Sequence, residues 1–359
     1  MIQEIRIKNY LSFRDEVVLS FEATKDTTFE ECQVANVTPK VRLLRFALIY
    51  GANASGKSNL LKAMDFLRDF WFDKKSDIDE DTGVVPFLLD TETPNEPSEF
   101  NIKIFVGDKR YWYALVLDDK QVIKEDLYVY NSVQPSLVFS RELDGTASLI
   151  KLNASLVKAN ATIVEQLNVK CLSNMSFFAA RNQVNCSLAY IDEVRDWMKN
   201  NMMPIIEPGT RMFEYAGKQM EKNAELKAYI LDFVHKADYN ITDVYTEREK
   251  VPIPDFVKTS IMEDKDIPEK TKEKMLADNA IERLRTDFQH TVKNKRGEEN
   301  YRLPNSLQSE GTKRTFGIEA AIYEAIKKNG ILPIDEIESS LHPELVEFII
   351  EKFLLPKPT

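Results

Sequence analysis

Two glycines five positions apart, followed at once by lysine and serine, constrain this chain more than any other feature. They lie in the segment Gly51–Ser58, which reads GANASGKS. A short apolar run at residues 45–50 precedes it, and apolar residues recur every three or four positions over residues 59–72. We therefore expect a strand buried on both faces, a glycine loop and an amphipathic helix, the context that a phosphate-binding loop requires.

The residue types of this loop suit a triphosphate bound together with Mg²⁺. Glycines let consecutive backbone N–H groups point inward, and the helix that starts near Lys57 adds its positive end. Lys57 is expected to reach the β- and γ-phosphates, and the Ser58 hydroxyl to bind Mg²⁺. The predicted nucleotide-binding residues of the loop are Gly51, Asn53, Ala54, Ser55, Gly56, Lys57, Ser58 and Asn59.

A second apolar segment, Ile331–Glu336, ends in two carboxylates. At the end of a strand in the same sheet, Asp335 is placed to hold Mg²⁺ through water, opposite Ser58, and Glu336 to polarise an attacking water. We predict Asp335 as the metal residue, and Glu336 with Lys57 as the catalytic residues. Pro333 is unusual in a central strand, because it has no N–H to donate. Either the strand is bulged there, or its register leaves the missing donor without consequence.

Composition excludes several classes of protein. The chain has 359 residues, 43% of them hydrophobic, and a net charge of −10. That is enough apolar material for a core, and the acidic balance argues against wrapping nucleic acid with the whole surface. With no long apolar run and no signal-peptide layout, we expect a cytoplasmic protein without a membrane contact. Three scattered cysteines form no disulfide framework and no zinc site.

The remaining pattern predicts three parts. Residues 1–150 form an ATPase lobe with an opening hairpin, the phosphate loop and antiparallel strands from about residue 98 to 141, with a turn at 107–108. Residues 151–285 form a helical insertion. Residues 286–359 form a C-terminal lobe with strands at 287–292 and 301–303, helices at 311–328 and 343–355, and the acidic strand between those helices.

Four segments together resemble a known family. They are Ile5–Phe13, the loop Gly51–Ser58, Leu307–Arg314, and Asp335–Pro343. They resemble the RecF/SMC-like class of ABC ATPase heads and, more narrowly, the compact ATP-binding proteins of abortive-infection and other bacterial anti-phage systems. The resemblance implies an α/β P-loop NTPase fold, similar to an ABC ATPase head, with a mixed β-sheet, an antiparallel β lobe and a helical insertion.

The resemblance also implies an activity and partners. The chain would hydrolyse ATP with Mg²⁺. Ser309 and Gly311 would stand in the signature motif that closes on the ATP of a second subunit, making a homodimer with two composite sites. Residues 339–342 would contact that subunit, with His342 at the interface. The controlled partner would be an effector protein, a nuclease or toxin.

One departure and one alternative accompany the resemblance. Such heads have a further strand that ends in a switch histidine, but only residues 336–359 follow Asp335. We therefore expect a fragment, or a head completed by another polypeptide. The alternative function is a DNA-binding repair ATPase that acts directly on DNA, with the basic turn Lys293–Arg296 and the pair Lys313 and Arg314 contacting phosphates.

Overall fold

The computed structural model describes residues 1–237, 240–264 and 269–354. Within this range the chain forms two compact units. Unit 1 comprises residues 1–207, 328–336 and 349–354, and unit 2 comprises the described residues of 208–327 and 337–348. In the described part of the chain, no helix combines the length and the apolar character needed to cross a membrane.

Unit 1 contains most of the strands. Its elements are β1 (Ile2–Lys8), β2 (Val17–Ser20), α1 (Glu30–Gln33), β3 (Val34–Thr38), β4 (Val41–Leu44), α2 (Lys57–Phe70), β5 (Ser98–Val106), β6 (Lys109–Leu117), β7 (Val122–Tyr130), β8 (Ser136–Asp144), β9 (Ala147–Leu152), α3 (Ala161–Lys170), α4 (Phe177–Arg181) and α5 (Ile191–Asn201). Seven strands form one antiparallel sheet in the order β2-β1-β5-β6-β7-β8-β9, and β3 pairs with β4 in a separate hairpin. The predicted opening hairpin and antiparallel strands are present.

Alternation along the strands builds the core of unit 1. On β5 and β6, every second side chain is buried, for example Phe100 and Ile102 on β5 and Tyr111 and Tyr113 on β6. The helix α2 adds a buried stripe at three- and four-residue spacing, which includes Leu60 and Leu67. The alternating side chains of the strands and the stripe of α2 pack in one apolar core, and this packing fixes the helix that follows the loop.

The predicted boundaries after residues 150 and 285 differ from the unit boundaries. Leu167 of α3, Phe177 of α4 and Trp197 of α5 all pack in the core of unit 1. Within unit 2, β10 pairs along its length with β11, which joins the residues on either side of position 285. Packing and strand pairing therefore set the units, and composition alone does not reveal them.

A strand predicted at residues 45–50 is not formed. Residues 46–50 belong to no described strand, and no backbone hydrogen bond joins them to other described residues. Their side chains are not covered on both faces, because Leu48 is 53% and Tyr50 is 91% exposed. Phe46 stacks on Phe353 at a centroid distance of 5.3 Å. The prediction of a buried strand from this apolar run is therefore wrong.

The acidic segment lies on a short parallel ladder instead of a full strand. Isolated parallel bridges join Met202 to Ile331 and Ile206 to Ile334. The N–H of Met203 donates to Ile331 O and that of Ile206 to Pro333 O, both at 3.0 Å. Three residues on one side thus face two on the other, which is a bulge. The irregularity lies opposite Pro333, so its missing N–H falls where regular pairing is already broken.

Unit 2 is built around a second sheet. Its elements are α6 (Met212–Lys222), α7 (Ala224–Lys236), β10 (Asp243–Pro252), α8 (Asp255–Glu263), α9 (Glu269–Asp278), β11 (Ala280–Asn294), β12 (Gly297–Pro304) and α10 (Glu310–Lys328, its last residue in unit 1), and α11 (Pro343–Leu354) is divided between the units. The sheet has the order β10-β11-β12, and Phe213, Phe288 and Phe316 form its aromatic core. The insertion predicted over residues 151–285 is not helical to its end, because α9 ends at 278 and β11 begins at 280. The helix predicted to reach 355 is described to 354.

An ion pair between Glu125 and Arg141 is fully buried inside unit 1. Glu125 accepts a hydrogen bond from the Ser176 hydroxyl at 2.7 Å, and Arg141 Nη1 lies 3.3 Å from its other oxygen. Arg141 also donates to the Ser148 hydroxyl and to backbone carbonyls within residues 172–175. Because both charges are surrounded by hydrogen-bond partners, the pair ties the strands to the segment before α4.

Removal of the buried cation tests this role. We expect Arg141→Met to lower the free energy of unfolding by about 3–5 kcal/mol, because Glu125 then stays buried without its partner. Urea denaturation followed by circular dichroism measures the change. As a control, Lys151→Met removes an exposed cation from the neighbouring strand β9 and should change stability by less than about 0.5 kcal/mol. Equal effects of the two substitutions would contradict the assignment.

Candidate functional site

The predicted phosphate loop lies at the start of α2. The helix begins at Lys57, and Gly56 precedes it with φ +92°, in the left-handed region that favours glycine. No side chain caps this helix end among the described residues, so its first N–H groups are not occupied in that way. Lys57 Nζ donates to Gly51 O at 3.0 Å and to Ala52 O at 2.9 Å. The ammonium is therefore held over the loop, where a phosphate would bind.

The turn between β1 and β2 contacts the phosphate loop and the first turn of α2. Asn59 Nδ2 donates to Ser12 Oγ at 2.8 Å. A Cβ added to Gly56 would lie 2.7 Å from Phe13 Cε1 and 3.0 Å from Ser12 Oγ. Gly56 therefore has a second reason to be glycine, the close approach of this turn. Asn59, predicted to bind nucleotide, uses its amide to hold the turn. Ser12 and Phe13 lie in the segment Ile5–Phe13 that carries the family resemblance, but the sequence predicts no role for them at the loop.

The same turn is fixed by Asn9, the residue that directly follows β1. Asn9 is buried and has φ +51°. Its amide donates to the carbonyls of Thr93 and Glu96, at 2.7 and 2.8 Å, and accepts from Phe87 N at 2.9 Å. Because Asn9 is buried and makes all of these hydrogen bonds, the backbone of the turn is held in one conformation. The turn that contacts the phosphate loop is therefore held in place by residues of unit 1 outside the loop.

The other face of α2 reaches towards the acidic segment. Asp65 Oδ1 accepts a hydrogen bond from Ile205 N at 3.1 Å, and Lys62 Nζ lies 3.8 Å from Glu207 Oε1. The next residue in this short strand, Ile206, accepts from Asp335 N at 2.9 Å. Two consecutive backbone residues, 205 and 206, therefore connect the helix of the phosphate loop to Asp335. The sequence offers no pattern from which this connection follows.

The two carboxylates differ in exposure and backbone shape. Asp335 is half-buried, whereas Glu336 is exposed and has φ +46°. Ala54, inside the loop, also has a positive φ, at +62°. Non-glycine residues in this region are strained, and such strain concentrates at functional sites. The structure thus places Asp335 and Glu336 in the same unit as the loop, and it bends the backbone at both places.

The predicted signature residues lie in unit 2, away in sequence from the loop. Ser309 Oγ accepts from Thr312 N at 3.1 Å, so it caps the N-terminal turn of α10. A Cβ added to Gly311 would lie 2.6 Å from Ser340 O. Ser340 has φ +63°. Within unit 2, therefore, the segment predicted to contact a second subunit packs against the signature glycine.

Other predicted contact residues lie on the surface of unit 2. The His342 side chain is 72% exposed, with Nδ1 3.8 Å from Glu344 Oε2. The basic turn lies at the tip of the β11–β12 hairpin, where Lys293 faces Glu298 across the strands. Arg314 Nη1 donates to Pro208 O at 3.1 Å. An acid opposite Lys293 and a backbone bond from Arg314 weaken the case for a phosphate-binding patch at these positions.

The close packing of Gly56 generates a prediction. We expect Gly56→Ala to abolish ATP binding, because the new methyl group meets Phe13 and the residue keeps a left-handed backbone. Isothermal titration calorimetry with ATP measures the loss. Gly145→Ala is the matched control, since Gly145 also has a positive φ, of +63°, but nothing lies within 4 Å of its added Cβ. It should cost about 1 kcal/mol of stability and leave ATP binding intact.

No curated protein matches the chain. Among solved structures it is similar to one described as the SmcHead bound to the C-winged helix domain of ScpA, with 12% identity over 98% of this chain and 85% of that chain, and a TM-score of 0.40.

A protein family matches most of the chain. The match covers residues 46–151 and 215–358, which include the predicted phosphate loop, the predicted signature residues and the predicted acid pair. It confirms the predicted relation to abortive-infection ATPases and the predicted α/β P-loop class, with its large antiparallel sheet. The chain therefore belongs to the family described as "AAA domain, putative AbiEii toxin, Type IV TA system".

Proposed function

We propose that the chain binds and hydrolyses MgATP, dimerises when ATP is bound, and thereby controls an effector protein, a nuclease or toxin of bacterial anti-phage defence. One observation carries the nucleotide part of this proposal. The loop Gly51–Ser58 opens on the uncapped start of α2, and α2 is joined through residues 205 and 206 to Asp335. Family membership supports an ATPase activity.

The residues present fit a magnesium triphosphate. Backbone N–H groups at the start of α2 and the Lys57 ammonium are donors for phosphate oxygens. The Ser58 hydroxyl and the Asp335 carboxylate are hard oxygen ligands, the type that Mg²⁺ takes when phosphates complete its coordination. When bound, Mg²⁺ would neutralise charge that develops on the phosphates. Lys57 would hold the β- and γ-phosphates in line, and the support from Ser12 and Phe13 would keep the loop in one shape.

Glu336 is the residue that we assign to activate water. It directly follows Asp335, and its positive φ turns its backbone out of the ladder that ends at Asp335. A carboxylate so placed would accept a proton from a water while Asp335 faces the metal. Lys57 and Glu336 thus have separable roles, one in holding phosphate and the other in proton transfer.

Substitution of these two residues tests the assignment. We expect Lys57→Ala to abolish ATP binding in calorimetry. Glu336→Gln should retain binding but lower kcat for phosphate release by about 10²-fold or more, because the general base is lost. The control is Glu338→Gln, an exposed acid two positions later, which should hydrolyse ATP at the wild-type rate. If Lys57→Ala binds ATP as tightly as wild type, the nucleotide function is wrong.

The dimeric part of the proposal rests on the signature segment. Ser309 caps α10, and a helix N-terminus with a small polar cap suits a phosphate presented by a second copy. Gly311 and Ser340 lie in contact there, so both segments predicted to meet the partner share one surface of unit 2. ATP held by the loop of one copy would then be shared with Ser309 of the other.

A slowly hydrolysing variant makes this dimer measurable. We expect Glu336→Gln to shift from monomer to dimer with MgATP in light scattering after size exclusion. Adding Ser309→Arg should keep it monomeric, because a long side chain then fills the phosphate position. Adding Ser260→Arg instead makes the same change on the exposed face of α8 and should leave the dimer intact. A dimer that forms equally with Ser309→Arg would refute the composite site.

Control of an effector requires a partner to be found. Affinity purification of the Glu336→Gln protein with MgATP, compared with the Lys57→Ala protein, should enrich a nuclease or toxin only in the first sample. Capture of the same proteins by both variants would contradict ATP-dependent control.

A further inference from the structure

Residues 205–207 make contacts with both α2 and the acidic segment of the proposed site. Two side chains of α2, Lys62 and Asp65, hold this segment, through Glu207 Oε1 at 3.8 Å and Ile205 N at 3.1 Å. The segment in turn accepts the N–H of Asp335 at Ile206 O, at 2.9 Å. A chain of contacts therefore runs from α2 to Asp335 without leaving unit 1.

The hydrogen bonds of residues 205 and 206 differ in kind: Ile205 N donates to a side chain, whereas Ile206 O accepts from the backbone. The bond from Asp335 N belongs to a ladder that also includes Ile206 N to Pro333 O and Ile331 N to Asn201 O. Such a ladder moves as one piece, because shifting one strand breaks all of its bonds together. The bond from Ile205 N to Asp65 Oδ1 is a single bond outside this ladder. It joins the ladder to α2 at a defined point, beside the apolar core in which Met202 and Ile331 pack together with the buried stripe of α2.

Asp65 is suited to hold this position. It lies on the same helix as Lys57 and Ser58, two turns further on, and α2 is fixed to the core by its buried stripe. Its Oδ1 also accepts from Arg68 Nε at 3.2 Å, so the carboxylate is oriented from its own helix. Only about a quarter of each of these two side chains is exposed, which favours one rotamer.

We propose that Asp65 is a positioning residue for the metal site: through Ile205 and the ladder of residues 331–335 it sets the Asp335 carboxylate relative to Ser58. This inference rests on the proposed function, in which Ser58 and Asp335 hold Mg²⁺ beside ATP. Groups that orient a metal-binding carboxylate without touching the metal typically change metal affinity 10- to 100-fold when they are removed.

The chain offers a closely matched control. Asp69 lies one turn further along α2 and pairs with the same Arg68, at 2.7 Å from its Nη2. Among the described residues, its carboxylate makes no hydrogen bond or ion pair with residues 201–207, and 64% of its side chain is exposed. Asp65→Leu and Asp69→Leu therefore remove the same charge from the same helix, but only the first removes the acceptor of Ile205 N. Asp65→Asn keeps an acceptor oxygen and serves as the rescue variant.

Metal affinity is measured with Mn²⁺ as the probe. The full-length variants are saturated with the non-hydrolysable analogue AMP-PNP, and free Mn²⁺ is titrated by electron paramagnetic resonance. ATP affinity in EDTA is measured in parallel by calorimetry. We expect Asp65→Leu to weaken Mn²⁺ binding about tenfold or more, with metal-free ATP affinity unchanged. Asp65→Asn and Asp69→Leu should bind Mn²⁺ within about twofold of wild type.

The outcomes separate this inference from the function on which it rests. If Asp65→Leu and Asp69→Leu weaken Mn²⁺ equally, or if Asp65→Leu weakens metal-free ATP binding by the same factor, Asp65 has only a structural role and the inference is wrong. If Asp335→Ala binds Mn²⁺ normally while Lys57→Ala loses ATP, the metal assignment of Asp335 fails, and the positioning role fails with it. If Lys57→Ala keeps ATP, the proposed function itself is overturned.

Discussion

The hydrogen bonds made by residues 205 and 206 are the constraint on which the site depends. A phosphate loop alone binds anions, but hydrolysis also needs carboxylates held at a fixed place near it. Here the loop begins a helix that packs on an antiparallel sheet, whereas the carboxylates end a two-bridge ladder far along the chain. The Asp65 carboxylate on α2 accepts a hydrogen bond from Ile205 N, and the carbonyl of Ile206 accepts one from Asp335 N. Sequence separation is thus bridged by backbone groups of a short, irregular strand.

A second constraint acts from the opposite side of the loop. The turn after β1 approaches Gly56 so closely that no larger residue fits, and Asn9 holds that turn through three bonds. The loop is therefore shaped by the N-terminal turn and by its own glycines together. Because that turn joins β1 to β2 in the sheet of unit 1, we expect folding of the sheet to be a condition for nucleotide binding.

The sequence revealed those features that have a local cause. The loop Gly51–Ser58 needs particular residue types at fixed spacing, and the β5–β6 hairpin shows alternation around Gly107, so the helix that starts at Lys57 and the hairpin were both predicted correctly. Apolar character alone misled at residues 46–50, because an apolar run does not show whether a partner strand is present. Ser12 and Asp65 were missed because hydroxyl and carboxylate groups on a turn or helix are common, and only tertiary contacts give these two a role. The division into units also depends on long-range packing, as α3, α4 and α5 show.

The segment before the loop has a consequence for how the protein behaves at high concentration. Residues 47–50 are four consecutive exposed apolar residues, and residues 46–50 make no backbone hydrogen bond to other described residues. Unpaired backbone groups of this kind are a template on which another polypeptide can add as a strand, and residues 46–50 contain no charged side chain that would oppose such pairing. Self-association, where it occurs, would therefore begin next to the nucleotide site, and mutual protection of that stretch would come at the expense of access to the loop.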